Sequence, residues 1–188
     1  GYGKLRQTDY PNGGWEIIEY DTLKRISRIY SSFGNQAATT DANLCRKVDY
    51  DYTPVGTGDT GAYRPQLPRR EIISVKGSEI ARKYYVYKSG EMHEIVCTTT
   101  GAAWNDSANL KTITRHYDSG SFKEKLQSVK RPDGTLTLYA YATNATTRTT
   151  TVSTGQPNTN DDAIIDGTTT VSTNGVRGEL LGQQVSDI

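Results

Sequence analysis

Few side chains in this sequence have the type and spacing that catalysis requires. The two histidines, His93 and His116, have no cysteine or serine nucleophile motif beside them, and an isolated histidine on a strand is usually solvated or hydrogen-bonded to a neighbour. Gly-x-Ser-x-Gly, phosphate-loop and dinucleotide-binding motifs are missing. We therefore predict no catalytic residue and no cofactor. A pair of carboxylates far apart in the sequence keeps a hydrolase fragment as an alternative.

Metal-binding patterns are equally weak. Cys45 and Cys97 have no nearby cysteine or histidine at metal-ligand spacing. We interpret them as two buried or half-buried thiols, with one disulfide as the alternative. The segment from Asn158 to Asp162 offers oxygen atoms of the kind that calcium prefers, but it lacks the glycine and terminal glutamate of an EF-hand loop. We interpret that segment as a solvated loop and predict no metal site.

The charge balance bears on possible partners. Lysine and arginine number 22, aspartate and glutamate 21, and the net charge is +1. A clustered basic excess, as expected of a surface for nucleic acid or anionic membranes, is not present. No apolar run approaches the ~18 residues that span a bilayer. We predict no nucleic-acid partner and no membrane insertion.

The apolar residues favour thin sheets. Only 34% of residues are apolar, but 13 are tyrosines, whose rings can be buried while the hydroxyl stays near water. Helix signals are almost absent, and β-branched or aromatic residues recur in short runs. The predicted strands are Leu5 to Tyr10, Trp15 to Tyr20, Arg25 to Ser31, Cys45 to Tyr52, Glu71 to Lys76, Ile80 to Tyr87, Met92 to Thr99, Leu110 to Tyr117, Leu126 to Lys130, Leu136 to Ala142, Thr146 to Thr154, Thr168 to Thr173 and Gly178 to Val185.

Turn residues separate these runs. Glycine or asparagine stands where a tight hairpin requires positive φ, so we predict an all-β fold. It is an antiparallel meander of consecutive β-hairpins, forming a twisted or curved ribbon or shell segment. Residues 1–188 are predicted to be a single hairpin-repeat segment, with a less regular region at about 31–70 and one short helical turn near Ala37 to Leu44. The predicted turns are Pro11 to Gly14, Val75 to Ser78, Lys88 to Glu91 and Pro132 to Thr135.

One hairpin is predicted to occur twice. The pattern Leu-x5-Pro-Asn/Asp-Gly-x6-Tyr at residues 5–20 recurs without a gap at residues 126–141, which aligns Gly13 with Gly134. Two shorter matches link residues 87–90 with 117–120 and residues 149–154 with 168–173. The last pair alternates Thr and Val, which predicts successive exposed strands, although low-complexity coincidence is the alternative.

Several of these motifs resemble one family. Residues 20–26, Tyr-Asp-Thr-Leu-Lys-Arg-Ile, resemble the Tyr-Asp-x-x-Gly-Arg-Leu unit of Rhs/YD-repeat proteins, with Lys24 where the family has glycine. The turns at residues 10–13 and 131–135 resemble the Pro-Asp-Gly turn that precedes such units. Tyr50-Asp51 and Tyr117-Asp118 are weaker copies, and the key tyrosines are spaced less regularly than in the family.

The resemblance implies a structural function. Members are large, mostly bacterial proteins, exported or attached to the cell surface, whose hairpins wind into a shell that often encloses or carries a toxic domain. The resemblance therefore implies that this chain is a segment of such a protein and that its partner is the remainder of that protein. In this unit Tyr packs on the neighbouring hairpin, Asp closes the turn and Arg pairs the charge. The residues assigned to these roles are Gly13, Tyr20, Asp21, Arg25, Tyr50, Asp51, Tyr87, Tyr117, Asp118, Gly134 and Tyr141.

A glycan- or ligand-binding β-domain would use exposed aromatic rings, with Trp15, Tyr63 and Trp104 as candidates. Both terminal strands are predicted to be unprotected sheet edges, so the chain could associate with a copy of itself.

Overall fold

A computed structural model describes residues 3–188, and nearly all of its regular structure is antiparallel β-sheet. The strands lie in the sheet in their sequence order, β1 to β13. The prediction of an all-β hairpin meander is therefore confirmed. The strands are β1 Gln7–Asp9, β2 Trp15–Tyr20, β3 Ile26–Ser31, β4 Arg46–Asp51, β5 Arg70–Val75, β6 Ser78–Lys88, β7 Glu91–Val96, β8 Leu110–His116, β9 Leu126–Lys130, β10 Leu136–Thr143, β11 Thr147–Pro157, β12 Ile164–Gly175 and β13 Leu180–Asp187.

The helical turn predicted near residues 37–44 is wrong. That segment contains only a single turn, in which the Leu44 N–H donates to the carbonyl oxygen of Asp41 at 3.0 Å. The Asp41 carboxylate accepts the Asn43 N–H at 2.9 Å, and the Thr39 hydroxyl oxygen accepts the Asp41 N–H at 3.0 Å. Such local side-chain bonds compete with helix formation. The helical element among the described residues is a 3-10 turn at Gly120–Phe122.

The turn between β5 and β6 shows how local sequence sets the register. Lys76 and Gly77 both have positive φ, 49° and 76°, which is the backbone that a two-residue hairpin with the twist of its strands requires. Val75 then lies opposite Ser78. The predicted turn at residues 75–78 is confirmed.

The chain divides into two compact units. The first contains the residues up to Lys88 together with Glu94–Leu110, and the second contains Ser89–His93 and Lys111–Ile188. In the first unit two apolar clusters are buried. One is formed by Trp15, Tyr30 and Cys45, and the other by Tyr84, Val86 and Ile95. Full burial of such a side chain contributes about 1.5–3 kcal/mol, so these clusters are the main stabilising contacts of a thin sheet.

The second unit has little buried apolar surface. Leu136 is fully buried, but both Leu180 and Val185 in β13 are more than 60% exposed. The Thr-rich strands β11 and β12 lie side by side, with Thr149 opposite Thr173, which confirms that the repeated segments are successive strands. They are mostly half-buried, so the prediction that they are exposed is wrong. Among the described residues, no helix has the length and apolar character to cross a membrane.

Candidate functional site

The clearest feature for a structural function is the repeated hairpin. In the first copy, residues 7–20, Gln7 lies opposite Ile17 and Asp9 opposite Trp15. In the second copy, residues 128–141, the pairs are Ser128 with Leu138 and Lys130 with Leu136. Each pair in the second copy is displaced by 121 residues from its counterpart in the first, without a register change. The prediction that one hairpin occurs twice is confirmed.

The turns of the two copies also match bond for bond. In the first, the Tyr10 N–H donates to Gly14 O at 2.8 Å and the Gly13 N–H donates to Tyr10 O at 2.9 Å. In the second, the corresponding bonds join Arg131 to Thr135 at 2.9 Å and Gly134 to Arg131 at 3.0 Å. Gly13 and Gly134 have φ of 83° and 86°, a region that favours glycine.

A side-chain bond completes each turn. The Asn12 side-chain oxygen accepts the Gly14 N–H at 3.0 Å, and the Asp133 carboxylate accepts the Thr135 N–H at 2.9 Å. The backbone N–H of Thr135 is the main cause of a lowered pKa of Asp133. The Asn or Asp of the motif therefore has a physical role, since it fixes the residue that begins the next strand.

The Tyr-Asp unit at residues 20–26 closes the turn between β2 and β3. The Asp21 carboxylate accepts the backbone N–H groups of Leu23 and Arg25, each at 2.9 Å, and also pairs with the Arg25 guanidinium at 2.7 Å. Burial opposes ionisation of Asp21, but the bonds from Arg25 outweigh it and lower the pKa of Asp21. The Tyr20 hydroxyl donates to Leu5 O at 2.8 Å. Asp21 therefore closes this turn and Arg25 pairs with its charge.

Lys24 occupies the position where the family pattern has glycine, and its backbone has φ of 63°. A lysine here carries the steric cost of the left-handed conformation. Replacing Lys24 by glycine should raise the free energy of unfolding by about 1 kcal/mol, because the relief of that strain exceeds the added entropy of the unfolded chain.

Urea unfolding followed by far-UV circular dichroism, which reports on the strands of both units, checks this expectation. The control is Lys123→Gly at an exposed residue with φ of −46°, which should give no gain, because this φ carries no left-handed strain. A loss of stability in Lys24→Gly, or an equal gain in the control, would contradict the interpretation of the turn.

The weaker copy at Tyr50-Asp51 uses a different tyrosine. Asp51 behaves like Asp21, since it accepts the Thr53 N–H at 2.8 Å and pairs with Arg70 at 2.7 Å. The hydroxyl-to-carbonyl bond comes from Tyr52, which donates to Ile26 O at 2.8 Å. The Arg25 guanidinium lies over the Tyr52 ring at 3.9 Å. The sequence analysis missed Tyr52, although its position next to the Tyr-Asp pair was a usable signal.

The other tyrosines assigned to the repeat units, Tyr87, Tyr117 and Tyr141, pack in two aromatic groups. Tyr87 stacks on Tyr85 with ring centroids 6.2 Å apart. Tyr141 lies 6.1 Å from Tyr117 and 5.6 Å from Phe122. Aromatic pairs at these separations stabilise beyond their buried area.

The shorter match of residues 87–90 with 117–120 does not produce the same turn. Residues 88–91 form a tight connection between β6 and β7, whereas Gly120 begins the 3-10 turn of a longer loop. The Asp118 carboxylate accepts the Ser119 hydroxyl at 3.1 Å. In place of an Asp-closed turn, the Tyr117 N–H donates to Lys125 O at 2.9 Å.

The aromatic rings proposed for ligand binding are mostly covered. Trp15 is 3% exposed, and its indole N–H donates to Gln36 O at 2.8 Å in the loop over it. Trp104 packs against the Tyr84 cluster. Of the three candidates, Tyr63 is exposed, at 36%. The expectation of exposed rings at Trp15 and Trp104 is therefore wrong, because Trp15 is buried beneath a loop and Trp104 is half-buried against strand residues.

A charged groove of about 740 Å³ lies in the first unit. Arg28 pairs with Glu19 on β2 at 3.1 Å and with Asp49 on β4 at 2.6 Å, and Lys47 also pairs with Asp49. The lining cations Arg25 and Arg70 have carboxylate partners as well. The pairs of Arg28 with Glu19 and Asp49, and of Arg70 with Asp51, join neighbouring strands and so tie the sheet together.

This network predicts acid sensitivity. Burial opposes ionisation of Asp49, but bonds from Lys47 and Arg28 outweigh it and lower its pKa below 3.8. Burial also opposes ionisation of Asp51, but hydrogen bonds from the backbone and side chain of Thr53 and the charge of Arg70 outweigh it and lower the pKa of Asp51. A carboxylate with a lowered native pKa stabilises the fold above its unfolded pKa and loses that contribution as the pH falls through the native value.

The urea midpoint should therefore stay nearly constant from about pH 7 to 5 and fall below about pH 4. Tryptophan fluorescence follows the first unit, because both tryptophans lie there. In Asp49→Asn the further loss between about pH 4 and 2 should be smaller than in the wild type. A midpoint that is unchanged down to about pH 2 would contradict the role of the ion pairs.

The side chains of His93 and Asp161 pair with charged neighbours. His93 contacts the Glu91 carboxylate, which also pairs with Arg115 at 2.7 Å. The backbone N–H of His116 donates to Gly90 O at 2.7 Å. In the loop from Asn158 to Asp162, the Asp161 carboxylate pairs with Lys130 at 2.7 Å. No group of three or more His, Cys, Asp or Glu within residues 3–188 could hold a metal ion.

The two cysteines are separate free thiols. The Cys45 Sγ donates to Asp41 O at 3.2 Å, and the Cys97 Sγ donates to Ala102 O at 3.8 Å. Burial is the main cause that raises the pKa of both thiols. A raised pKa keeps a thiol protonated and weakly reactive.

Sequence reasoning missed one buried ion pair. Arg69 and Asp59 have side chains only 1% and 0% exposed, and their charged atoms are 2.8 Å apart. Arg69 also donates to the carbonyl oxygens of Tyr63, Arg64 and Leu67 at 2.6–2.8 Å. These bonds of Arg69, which we call the clamp, hold the loop between β4 and β5 in place.

Comparison with family models, curated proteins and solved structures found no match. The Rhs/YD interpretation consequently depends on the motifs and on the contacts that those motifs make.

Proposed function

We propose that this chain is a non-catalytic structural segment of a large exported or cell-surface bacterial protein, in which YD-like hairpins form a β-shell or scaffold. The observation that supports the proposal best is the repeated hairpin at residues 7–20 and 128–141, with the same register and the same turn bonds. Each unit of this kind packs against its neighbours and so buries surface that would be exposed in an isolated unit. This packing is the physical basis of repeat architectures.

The conspicuous side chains are also used within the fold. Tyrosine hydroxyls donate to main-chain carbonyls at 2.8–2.9 Å, from Tyr20 to Leu5, Tyr52 to Ile26 and Tyr117 to Tyr139. Cross-strand ion pairs engage the charges of the groove in the first unit. Groups that are already bonded inside the protein serve stability more readily than they serve a substrate. The partner implied is the remainder of the parent repeat protein, and no cofactor is implied.

The proposal is tested in cells that express the protein. An antibody raised against residues 1–188 should detect a polypeptide much larger than 20.7 kDa, the mass of this chain. It should also label cells that have not been permeabilised, with a cytosolic protein as the negative control. A species of about 20.7 kDa confined to the cell interior would overturn both the scaffold role and the extracellular location.

A further inference from the structure

We propose that Asn12 is a modification site, at which the folded turn directs spontaneous deamidation of the asparagine side chain to aspartate. This proposal does not depend on the scaffold role. The sequence contains two Asn-Gly pairs, Asn12-Gly13 and Asn174-Gly175. An asparagine before glycine is especially reactive, because glycine has no Cβ to hinder the approach of its backbone nitrogen to the asparagine side chain. The surroundings of the two pairs differ, and this difference selects Asn12.

The reaction needs water and no other reactant. The Gly13 backbone nitrogen gives its proton to the solvent and attacks Asn12 Cγ, which forms a C–N bond and places negative charge on Oδ1. The bond between Cγ and Nδ2 then breaks, Nδ2 takes up a proton and leaves as ammonia, and a cyclic succinimide remains. Water opens this ring at one carbonyl or the other and gives aspartate or isoaspartate. No group is oxidised or reduced.

The turn supplies a hydrogen-bond donor for the developing charge. Asn12 Oδ1 already accepts the Gly14 N–H at 3.0 Å, and a donor in place where negative charge forms stabilises the transition state. Asn12 and Gly13 are exposed, and a Cβ at Gly13 would meet no atom within 4 Å. The Gly13 N–H donates to Tyr10 O at 2.9 Å. Because exposed turn bonds open readily, solvent can reach the attacking nitrogen.

The second Asn-Gly pair has the glycine but lacks the donor. Gly175 is the last residue of β12, between β11 and β13. The backbone N–H equivalent to that of Gly14 belongs to Val176, and it donates to Thr146 O at 3.2 Å. The Glu179 carboxylate lies where a Cβ of Gly175 would be. Its negative charge opposes the formation of a second one on the Asn174 side chain.

Asn144 shows the opposite combination. Its Oδ1 accepts the backbone N–H groups of Thr146 and Thr147 at 2.9 and 2.8 Å, so the donors are present. The next residue is Ala145, whose Cβ hinders the attack of its backbone nitrogen. Of these three asparagines, Asn12 combines the donor with the glycine.

The aspartate product fits the turn. The second copy of the hairpin has Asp133 at the corresponding position, and its carboxylate accepts the Thr135 N–H at 2.9 Å. Deamidation to aspartate therefore gives the first turn the side chain of the second, and the new negative charge cancels the net charge of +1. Isoaspartate adds a methylene group to the main chain, which disturbs the register of Gln7 with Ile17.

Peptide mapping of the whole chain after incubation at mildly alkaline pH tests the proposal. Trypsin places the three asparagines in separate peptides, residues 7–24, 131–148 and 149–177. Mass spectrometry with fragmentation then follows the mass gain at each asparagine as a hydroxyl replaces the amide nitrogen. In the folded protein, Asn12 should react on the order of tenfold faster than Asn174 or Asn144.

The same chain unfolded in guanidinium chloride is the matched control. There the two Asn-Gly pairs should react at similar rates, because the surroundings that distinguish them are lost, while Asn144 should remain slow. Equal rates at Asn12 and Asn174 in the folded protein would overturn the proposal. A faster reaction at Asn174 than at Asn12 in the folded protein would overturn it as well, and so would the same preference for Asn12 in the unfolded chain.

Discussion

Replacing Arg69 by methionine is expected to lower the free energy of unfolding by about 3–5 kcal/mol, because the change leaves an unpaired carboxylate in a buried position. The Asp59 side chain is fully buried and is bonded to Arg69 through both of its oxygen atoms. Burial opposes its ionisation, but the bonds from Arg69 outweigh burial and lower its pKa. Three main-chain carbonyls of the same loop also lose their donor.

The adjacent arginine provides a matched control. Arg70 pairs with Asp51 at 2.7 Å, but the two side chains are 37% and 36% exposed, and exposed pairs contribute at most about 1 kcal/mol. Urea unfolding monitored by tryptophan fluorescence should therefore show a large loss in Arg69→Met and a small one in Arg70→Met. Equal losses in the two variants would mean that the clamp does not hold the loop.

Replacing Gly155 by alanine should also cause a large loss, of roughly 2–3 kcal/mol, through overpacking between two backbones. Gly155 on β11 lies opposite Gly167 on β12. A Cβ at Gly155 would overlap the carbonyl oxygen of Asp166 and would come within 2.7 Å of the Gly167 Cα. Because these neighbours are main chain, the strands would have to separate locally.

The control for this variant is Gly182→Ala on β13. A Cβ there meets no atom within 4 Å, and alanine reduces the entropy of the unfolded chain. Amide hydrogen exchange should show faster exchange along β11 and β12 in Gly155→Ala and unchanged protection in Gly182→Ala. Unchanged exchange in Gly155→Ala would show that the close approach of the strands is not required.

The strands could be predicted well because the features that mark them, short runs of β-branched and aromatic residues between turn residues, can be seen within a short stretch of sequence. Each of the thirteen predicted runs overlaps a strand, and the turn glycines Gly13 and Gly134 have the positive φ that their position requires. The strands β11 and β12 extend to Pro157 and back to Ile164, beyond the predicted runs. Their extra length comes from pairing with each other, and pairing between distant residues is not encoded in a short window.

The covered loops were the harder part to predict. Trp15 is buried because a loop residue, Gln36, reaches it, and the Asp59–Arg69 pair forms inside a segment rich in Gly, Pro and Thr. Such contacts depend on how a loop folds back over the sheet. The sequence shows the residue types but not the path of the chain, so these residues looked like surface positions. The position of Tyr52 beside the Tyr50-Asp51 pair was visible in the sequence, but its bond to Ile26 depends on strand register and was not.

The measurement that tests the central claim most directly is a set of cross-strand nuclear Overhauser effects in the two matching hairpins. The non-bonded pairs Gln7–Ile17 and Ser128–Leu138, with their neighbours Asp9–Trp15 and Lys130–Leu136, bring opposed Hα atoms close together. We expect strong Hα–Hα signals for all four pairs. Signals displaced by one residue in either hairpin, or present in only one of them, would show that the chain does not build the same unit twice.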